Sequence, residues 1–387
     1  MKSLAELNIS NKNLVIRVDM NVPISNGAIT DLTRIEACLP SIKHALDNNC
    51  KILLVSHLGR PTEGKAEEAF SLAPVSEALS NILNEPVQLI DSYASNKIFN
   101  SNERVQLLEN VRFFNGEMSN DDSLGKALGG LGDIYVFDAF GTAHRKQGST
   151  HSAILSSKES CSGILLKREI DSLNRAMLNA PSPYLAIIGG AKVSSKLGLI
   201  KNLNMKADNI IVGGGIANTF LKASGYEIGT SLVEDSMLDV AAKMLKVGKI
   251  LLPSTVVTST SFQGSNVKIK QIDDVTSEEM ILDQMLTPNM KDAIKRSKLI
   301  LWNGPLGVFE NSLFSSGTES LAKNIKESNG YSIAGGGETL SAINTFINKD
   351  DVSYCSTGGG AFLEFMEGKE LPSIEALGRE KLDKEKK

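Results

Sequence analysis

Apolar residues in this chain come in short unbroken runs, each stopped by an abrupt change of character. In the first half the runs are residues 14–19 (LVIRVD), 51–56 (KILLVS), 105–108 (VQLL) and 134–137 (IYVF). In the second half they are 184–188 (YLAII), 209–212 (NIIV), 249–252 (KILL), 298–302 (KLILW), 331–334 (YSIA) and 354–357 (YCST). Runs this short, rich in Val, Ile and Leu and without alternation, predict strands buried on both faces, as in a parallel sheet covered by helices. A helical period appears between the strands. Ile170, Leu173 and Met177 fall on one side of a helix predicted over 167–179, which Pro181 and Pro183 stop. Thr30 and Asp31 can cap another helix that carries Arg34, with Pro40 kinking or restarting it. Residues 370–387 read as a last helix with a charged, frayed tail. Strands alternating with helices put the chain in the α/β class.

At 387 residues the chain exceeds what one hydrophobic core usually serves, so two domains are expected, with the helix at 167–179 as the natural boundary. With 41% hydrophobic and 22% charged residues, disorder is excluded. A net charge of −4 argues against general affinity for nucleic acid or anionic membrane, so any anion site has to be local. Cys38, Cys50, Cys161 and Cys355 are scattered without metal-ligand spacing and read as reduced thiols. The opening residues lack the apolar segment of a secretory signal, and no apolar stretch approaches the roughly 18 residues needed to span a bilayer. A cytoplasmic enzyme is the expectation.

The residues just past each run carry the chemistry. In the first half the strand ends are polar or cationic: Asp19 and Asn21, then His57, Leu58, Gly59 and Arg60, then Arg112, then Arg145. Arg34 joins them from its helix. Converging guanidinium forks suit a small polyanion, because each can grip a phosphate or carboxylate in bidentate fashion. Arg17 lies inside a strand and is read as paired with a carboxylate, outside the site. In the second half the strands end in glycines: Gly189-Gly190, Gly213 to Gly215, Gly304 with Gly307, Gly335 to Gly337 and Gly358 to Gly360. Strand, glycine turn and helix start make an anion site, where unpartnered N–H groups point outward and missing Cβ atoms let a phosphate approach. If a helix opens after Gly190, Lys192 and Lys196 lie one turn apart on one face. An ordinary strand-to-helix turn with solvated lysines fits that stretch alone, but the repetition favours one ligand crevice at the strand ends. No G-x-x-x-x-G-K-[ST] phosphate loop occurs, and no H-R-D-x-x-x-x-N supplies a general base. A polyanion pocket beside a nucleotide-like crevice implies phosphoryl transfer, and a carboxylate acceptor, already ionised at neutral pH, needs no base.

Seven motifs, in chain order, resemble those of the phosphoglycerate kinase family: residues 15–23 (VIRVDMNVP), 56–61 (SHLGRP), 109–113 (ENVRF), 138–145 (DAFGTAHR), 213–220 (GGGIANTF), 302–310 (WNGPLGVFE) and 356–364 (STGGGAFLE). The resemblance covers essentially the whole chain. It implies two Rossmann-like domains with parallel sheets joined by an interdomain helix, with the active site in the cleft between them. The implied division is 1–166 for phosphoglycerate binding, 167–182 for the helix, 183–369 for nucleotide binding, and 370–387 returning to the first domain. The family reaction moves a phosphoryl group between 1,3-bisphosphoglycerate and Mg-ADP, usually in a monomer. Carried over by position, the phosphoglycerate falls on Asp19, Asn21, Arg34, His57, Leu58, Gly59, Arg60, Arg112 and Arg145. The nucleotide, ADP or ATP, falls on Lys196, Gly214, Pro305, Glu310, Gly336, Gly337, Glu338 and Thr339, with Mg2+ on Glu338. Arg34, Lys192, Gly337 and Gly359 would surround the transferring group. The chain departs from the family pattern at Met20, at Asp283-Gln284-Met285, where the usual glycine is missing, and at Glu338, which stands in place of Asp. Another acyl-phosphate kinase is the alternative enzyme, although four arginines exceed what an unphosphorylated small acid needs. A non-catalytic protein on the same fold would have lost a residue of the transferring group, and Arg34, Lys192 and both glycine loops are present.

Overall fold

The computed structural model describes residues 1–178 and 180–378. They fall into two compact units: Met1–Asp171 with the described residues from Glu370 onward, and Ser172–Lys369.

The first unit is built on a six-stranded sheet. Its strands are β1 (Asn13–Val18), β2 (Lys51–Val55), β3 (Val87–Ile90), β4 (Val105–Leu108), β5 (Ile134–Asp138) and β6 (Ser160–Ser162), in the order β3-β4-β2-β1-β5-β6. Every pair is parallel. Central β1 is buried on both faces beyond its first residue, one face apolar and the other carrying Val15 and Arg17. Leu14, Ile16 and Val18 pack in one core with Ile35, Cys38 and Ile42 of helix α1 (Thr33–Asp47), each fully buried. Burial of such side chains stabilises by about 1.5–3 kcal/mol apiece. α1 runs through Pro40 without a break, so the restart is ruled out. Its start is held from one position further out than a regular cap, by the Asp31 carboxylate accepting from the Thr33 N–H at 2.8 Å. The helix Pro372–Gly378 belongs to this unit, its Ser373 N–H donating to the Ala143 carbonyl at 3.2 Å.

Helix α2 (Ile164–Met177) opens three residues before the predicted start, because two side chains of the first unit cap it. The Ile164 N–H donates to Ser41 Oγ and the Leu166 N–H to Asp138 Oδ1, both at 2.8 Å. Such orphan first-turn N–H groups have to find partners when buried.

The second unit carries β7 (Tyr184–Ile188), β8 (Asn209–Val212) and β9 (Ile250–Leu251). A separate antiparallel sheet comes next, of β10 (Thr255–Ser259), β11 (Lys268–Gln271) and β12 (Met280–Gln284), then β13 (Leu299–Asn303), β14 (Tyr331–Ala334) and β15 (Tyr354–Cys355). The main sheet is parallel, in the order β9-β8-β7-β13-β14-β15. The chain winds outward from β7 to β9, then returns and winds the other way from β13. Ligands of open α/β sheets bind where that winding reverses, outside the carboxyl ends of β7 and β13.

Candidate active site

In the first unit the ends of β1, β2 and β4 bring the cationic residues together on a rigid frame. Asp19, just past β1, is buried, and its Oδ2 accepts from Arg34 Nη1 at 2.6 Å. Asn21 Oδ1 accepts the Gly59 N–H at 2.8 Å, tying the end of β1 to that of β2. Gly59 has φ +60°, and a Cβ there would lie 2.3 Å from the Phe70 ring, so no other residue fits. Its carbonyl accepts from Arg112 Nη1. Asn110 Nδ2 donates to the Leu58 carbonyl at 2.7 Å and the Phe70 carbonyl at 2.9 Å, which fixes the loop after β2. Leu58 faces the core of the unit, so its side chain offers a ligand nothing. Arg60 is exposed and Arg145 half-buried.

These cations are crowded. Burial first, then Arg17, Arg112, Arg145 and Arg34, hold the His57 imidazole well below its ordinary pKa. Burial, then Arg145 and Arg17, push Arg112 down to about 10. Burial first, then Arg17, Arg60 and Arg34, lower Arg145 too, against the pull of Asp19. A pocket whose positive groups disfavour one another's charge is one that a bound polyanion relieves.

Beneath it lies a layer that sequence reasoning placed outside the site. Arg17 is 1% exposed, and its Nε donates to Ser149 Oγ at 2.9 Å. That hydroxyl donates to Glu117 Oε1 at 2.7 Å, and the Ser149 N–H donates to Glu117 Oε2 at 2.7 Å. The carboxylate expected for Arg17 is therefore reached through a hydroxyl. Arg17 Nη2 also lies 3.3 Å from His57 Nδ1, so this residue abuts the pocket.

In the second unit the reversal point is closed by two glycines in contact. A Cβ on Gly189 would lie 1.8 Å from the Pro305 carbonyl oxygen, and one on Gly304 would lie 2.4 Å from the Gly189 oxygen. Beside them opens a cavity of about 470 Å³, walled by Gly214, Leu282, Pro305 and Val308, with Glu310 and Glu338 also lining it. Apolar walls with a few polar groups suit a flat heterocycle with a polar tail. Helices α3 (Val193–Lys206), α4 (Gly214–Ala223), α5 (Gly337–Phe346) and α6 (Gly359–Met366) start at the strand ends. Gly337 and Gly359, first residues of α5 and α6, are exposed, and a Cβ on either meets nothing within 4 Å. Helix starts left this open suit an anion, which the first-turn N–H groups can bind.

The start of α3 differs from that expectation. Lys192 is exposed at the N-cap, but the Ser194 N–H already donates to Glu234 Oε2 at 2.8 Å. An acid satisfies a helix N-terminus as an anion does. Lys196 folds back instead of standing beside Lys192. Its Nζ donates to the carbonyls of Gly189 at 2.5 Å and Asn303 at 3.3 Å, and burial lowers its pKa to about 8 against the pull of Glu338. Thr339 is buried, with its hydroxyl donating to the Gly335 carbonyl at 2.9 Å and accepting the Gly304 N–H at 2.8 Å. Only its backbone is left for a nucleotide.

Among the described residues no three of His, Cys, Asp or Glu gather as a metal cage. Glu338 offers one exposed carboxylate on the cavity wall. A magnesium ion carried on nucleotide phosphates needs only one or two carboxylates, so this donor set fits it.

The family model for phosphoglycerate kinase matches residues 4–369. Curated phosphoglycerate kinases from Psychrobacter sp. (strain PRwf-1) and Francisella tularensis subsp. novicida (strain U112) are 46% and 44% identical over 386 and 383 residues, covering 95% and 97% of this chain and 96% and 97% of theirs. The solved structure of phosphoglycerate kinase from Coxiella burnetii is 45% identical with a TM-score of 0.91, covering 97% of this chain and 98% of that one. That of phosphoglycerate kinase from Pyrococcus horikoshii OT3 is 28% identical with a TM-score of 0.81 and the same coverage.

Proposed function

The chain belongs to the phosphoglycerate kinase family, and from that premise we propose how its residues divide the work. The reaction is the glycolytic transfer of a phosphoryl group between 1,3-bisphosphoglycerate and ADP. In our reading the phosphoglycerate lies on Asp19, Asn21, His57, Gly59, Arg60, Arg112 and Arg145. ADP or ATP lies in the glycine-walled cavity, with Lys196 and the α5 amides on its phosphates and Glu338 holding Mg2+. When bound, that ion neutralises phosphate charge. Lys192, Arg34 and the amides of Gly337 and Gly359 surround the transferring group.

The chemistry asks little more of the chain than this. As the β-phosphate oxygen of ADP forms its bond to phosphorus, the acyl P–O bond breaks and its electron pair stays on the carboxylate. No proton has to move, so positioning and charge neutralisation are the whole task. In-line transfer needs the reacting atoms within about 3–3.5 Å of each other. We place the enzyme as a monomer in the cytoplasm. Its four cysteines, kept as thiols, suit a reducing compartment, and among the described residues no helix is long and apolar enough to cross a membrane.

The observation that carries the assignment is the crowding of Arg17, Arg112 and Arg145 around the buried His57. The test is calorimetric titration of the full chain beside a coupled assay with Mg-ATP and 3-phosphoglycerate. Arg112→Ala should lose 3-phosphoglycerate binding and keep ADP, with the reverse for Lys196→Ala. The opposite pattern, or no turnover by the folded wild type, overturns the reading.

A further inference from the structure

The layer under the arginine pocket is ordered more strictly than a structural ion pair needs to be. We propose that Ser149, held by Glu117, is a positioning residue for the phosphoglycerate site: it orients Arg17, and Arg17 fixes His57 as the tautomer carrying its proton on Nε2. The proposal rests on the assignment of His57 to that site.

The direction of each hydrogen bond is set by the carboxylate at the far end of the relay. Both Glu117 oxygens are spent on one residue, accepting the Ser149 hydroxyl and N–H at 2.7 Å each. Because the hydroxyl proton points to Glu117, Ser149 Oγ can only accept from Arg17 Nε, at 2.9 Å. The serine is fixed from its other side as well, its carbonyl accepting from Tyr135 Oη at 2.6 Å. It sits in a widened, π-helical turn, Gly148–Ser152, of a kind frequent at functional sites. The guanidinium then has all three nitrogens committed: Nε to Ser149, Nη1 to the Val18 carbonyl, and Nη2 to His57 Nδ1 at 3.3 Å.

Arginine only donates, so His57 Nδ1 has to accept and carries no proton. Burial and the charges of Arg17, Arg112, Arg145 and Arg34 all oppose a second proton on the ring, which therefore stays neutral. Its one proton lies on Nε2. That atom has no hydrogen bond among the described residues and is not one of the buried unpartnered atoms, so it reaches solvent. A neutral ring with a fixed outward N–H gives an anion a directional donor without adding charge to a crowded pocket.

The test begins with the wild-type full chain labelled with 15N-histidine. Long-range 1H–15N spectra at neutral pH are recorded, with the His57 signals identified by their loss in His57→Gln. We expect a pyridine-type Nδ1 and a pyrrole-type Nε2 before any ligand is added. A proton on Nδ1, or on both nitrogens, overturns the proposal. Added 3-phosphoglycerate should move these signals. A fixed Nε2–H form that ignores it would retire the site assignment and leave the relay standing. Ser149→Ala should drive the two shifts toward an average and raise the KM for 3-phosphoglycerate about fivefold to tenfold, the factor for one hydrogen bond, with the KM for ATP unchanged. Glu117→Gln, which keeps an acceptor for only one of the two Ser149 donors, should move the shifts in the same direction as Ser149→Ala. Wild-type shifts and KM in Ser149→Ala would also overturn the proposal.

Discussion

Replacing Gly337 by alanine separates what the fold needs from what the ligand needs. A Cβ at this position meets no atom within 4 Å, and the left-handed backbone angle of the turn, φ +96°, belongs to Gly336 instead. Gly337 is the first residue of α5, where alanine is at least as good a helix former as glycine. We expect stability to stay level or rise by about 0.5 kcal/mol, a shift of roughly 1–2 °C for a unit of this size. The methyl would stand in the space before the first N–H groups of the helix. Displacing a transferring phosphoryl group by about 1 Å costs on the order of 100-fold in kcat. Gly336→Ala is the companion with the opposite profile. Its Cβ would lie 2.8 Å from Asn303 Nδ2 on a backbone that disfavours side chains, so it should lose about 1–3 kcal/mol of stability. Scanning calorimetry and steady-state kinetics on both variants decide the matter. Wild-type kcat in Gly337→Ala at unchanged Tm would remove this amide from the site, and a fall of several degrees would show that the glycine serves the fold.

Four further outcomes are expected. Lys196 has a pKa near 8 in the free protein, and bound phosphates should raise it. Nucleotide affinity should therefore be full below that pH and fall by up to about tenfold per unit above it, with proton uptake visible as a buffer-dependent binding heat. Removing the supporting charge in Glu338→Ala should move the inflection lower; an inflection that stays put means another group titrates. Arg34→Ala should abolish most turnover while ADP titrates normally, and a large loss of ADP affinity would count against its place in the first unit's pocket. Lys192→Ala should lower kcat far more than it raises either KM, since its contact forms in the transition state; near-normal kcat would strip it of that role. The ratio of manganese- to magnesium-supported kcat should fall in Glu338→Asp, because the longer carboxylate suits the less demanding ion; an unchanged ratio makes the substitution neutral, and full metal-dependent activity in Glu338→Ala removes the residue from the site.

How much of this was legible depends on whether a residue's partner is near in sequence. The run Tyr184–Ile188 is a strand with those bounds because a two-faced buried strand has to be continuously apolar. Ser160–Ser162 carries no such pattern, and is a strand only because β5 pairs with it. β11, with the sequence KIKQ and largely exposed, is silent for the same reason. At the site, residue types and strand ends drew the arginines and glycines to their edges. Side-chain direction was not readable. Leu58 turns to the core between two pocket residues, and Thr339 spends its hydroxyl on two backbone groups. Glu234 fills the helix start at Ser194 from 40 residues away. Arg17 finds Ser149 across 132 residues, a pairing that only the assembled sheet creates.

The helix Pro372–Gly378 sets the order in which the protein can be completed during synthesis. Ser373, Ala376 and Leu377 are buried in the first unit, against the turn around Ala143 and the segment 148–156. A ribosome delivers the strands of that unit first, yet the piece that seals it follows the whole of the second unit. The second unit, whose residues 172–369 are contiguous, has its whole chain available earlier. The nascent first unit therefore waits through the synthesis of the second with the seat of this helix uncovered, and a chain cut after Lys369 damages the unit that was made first.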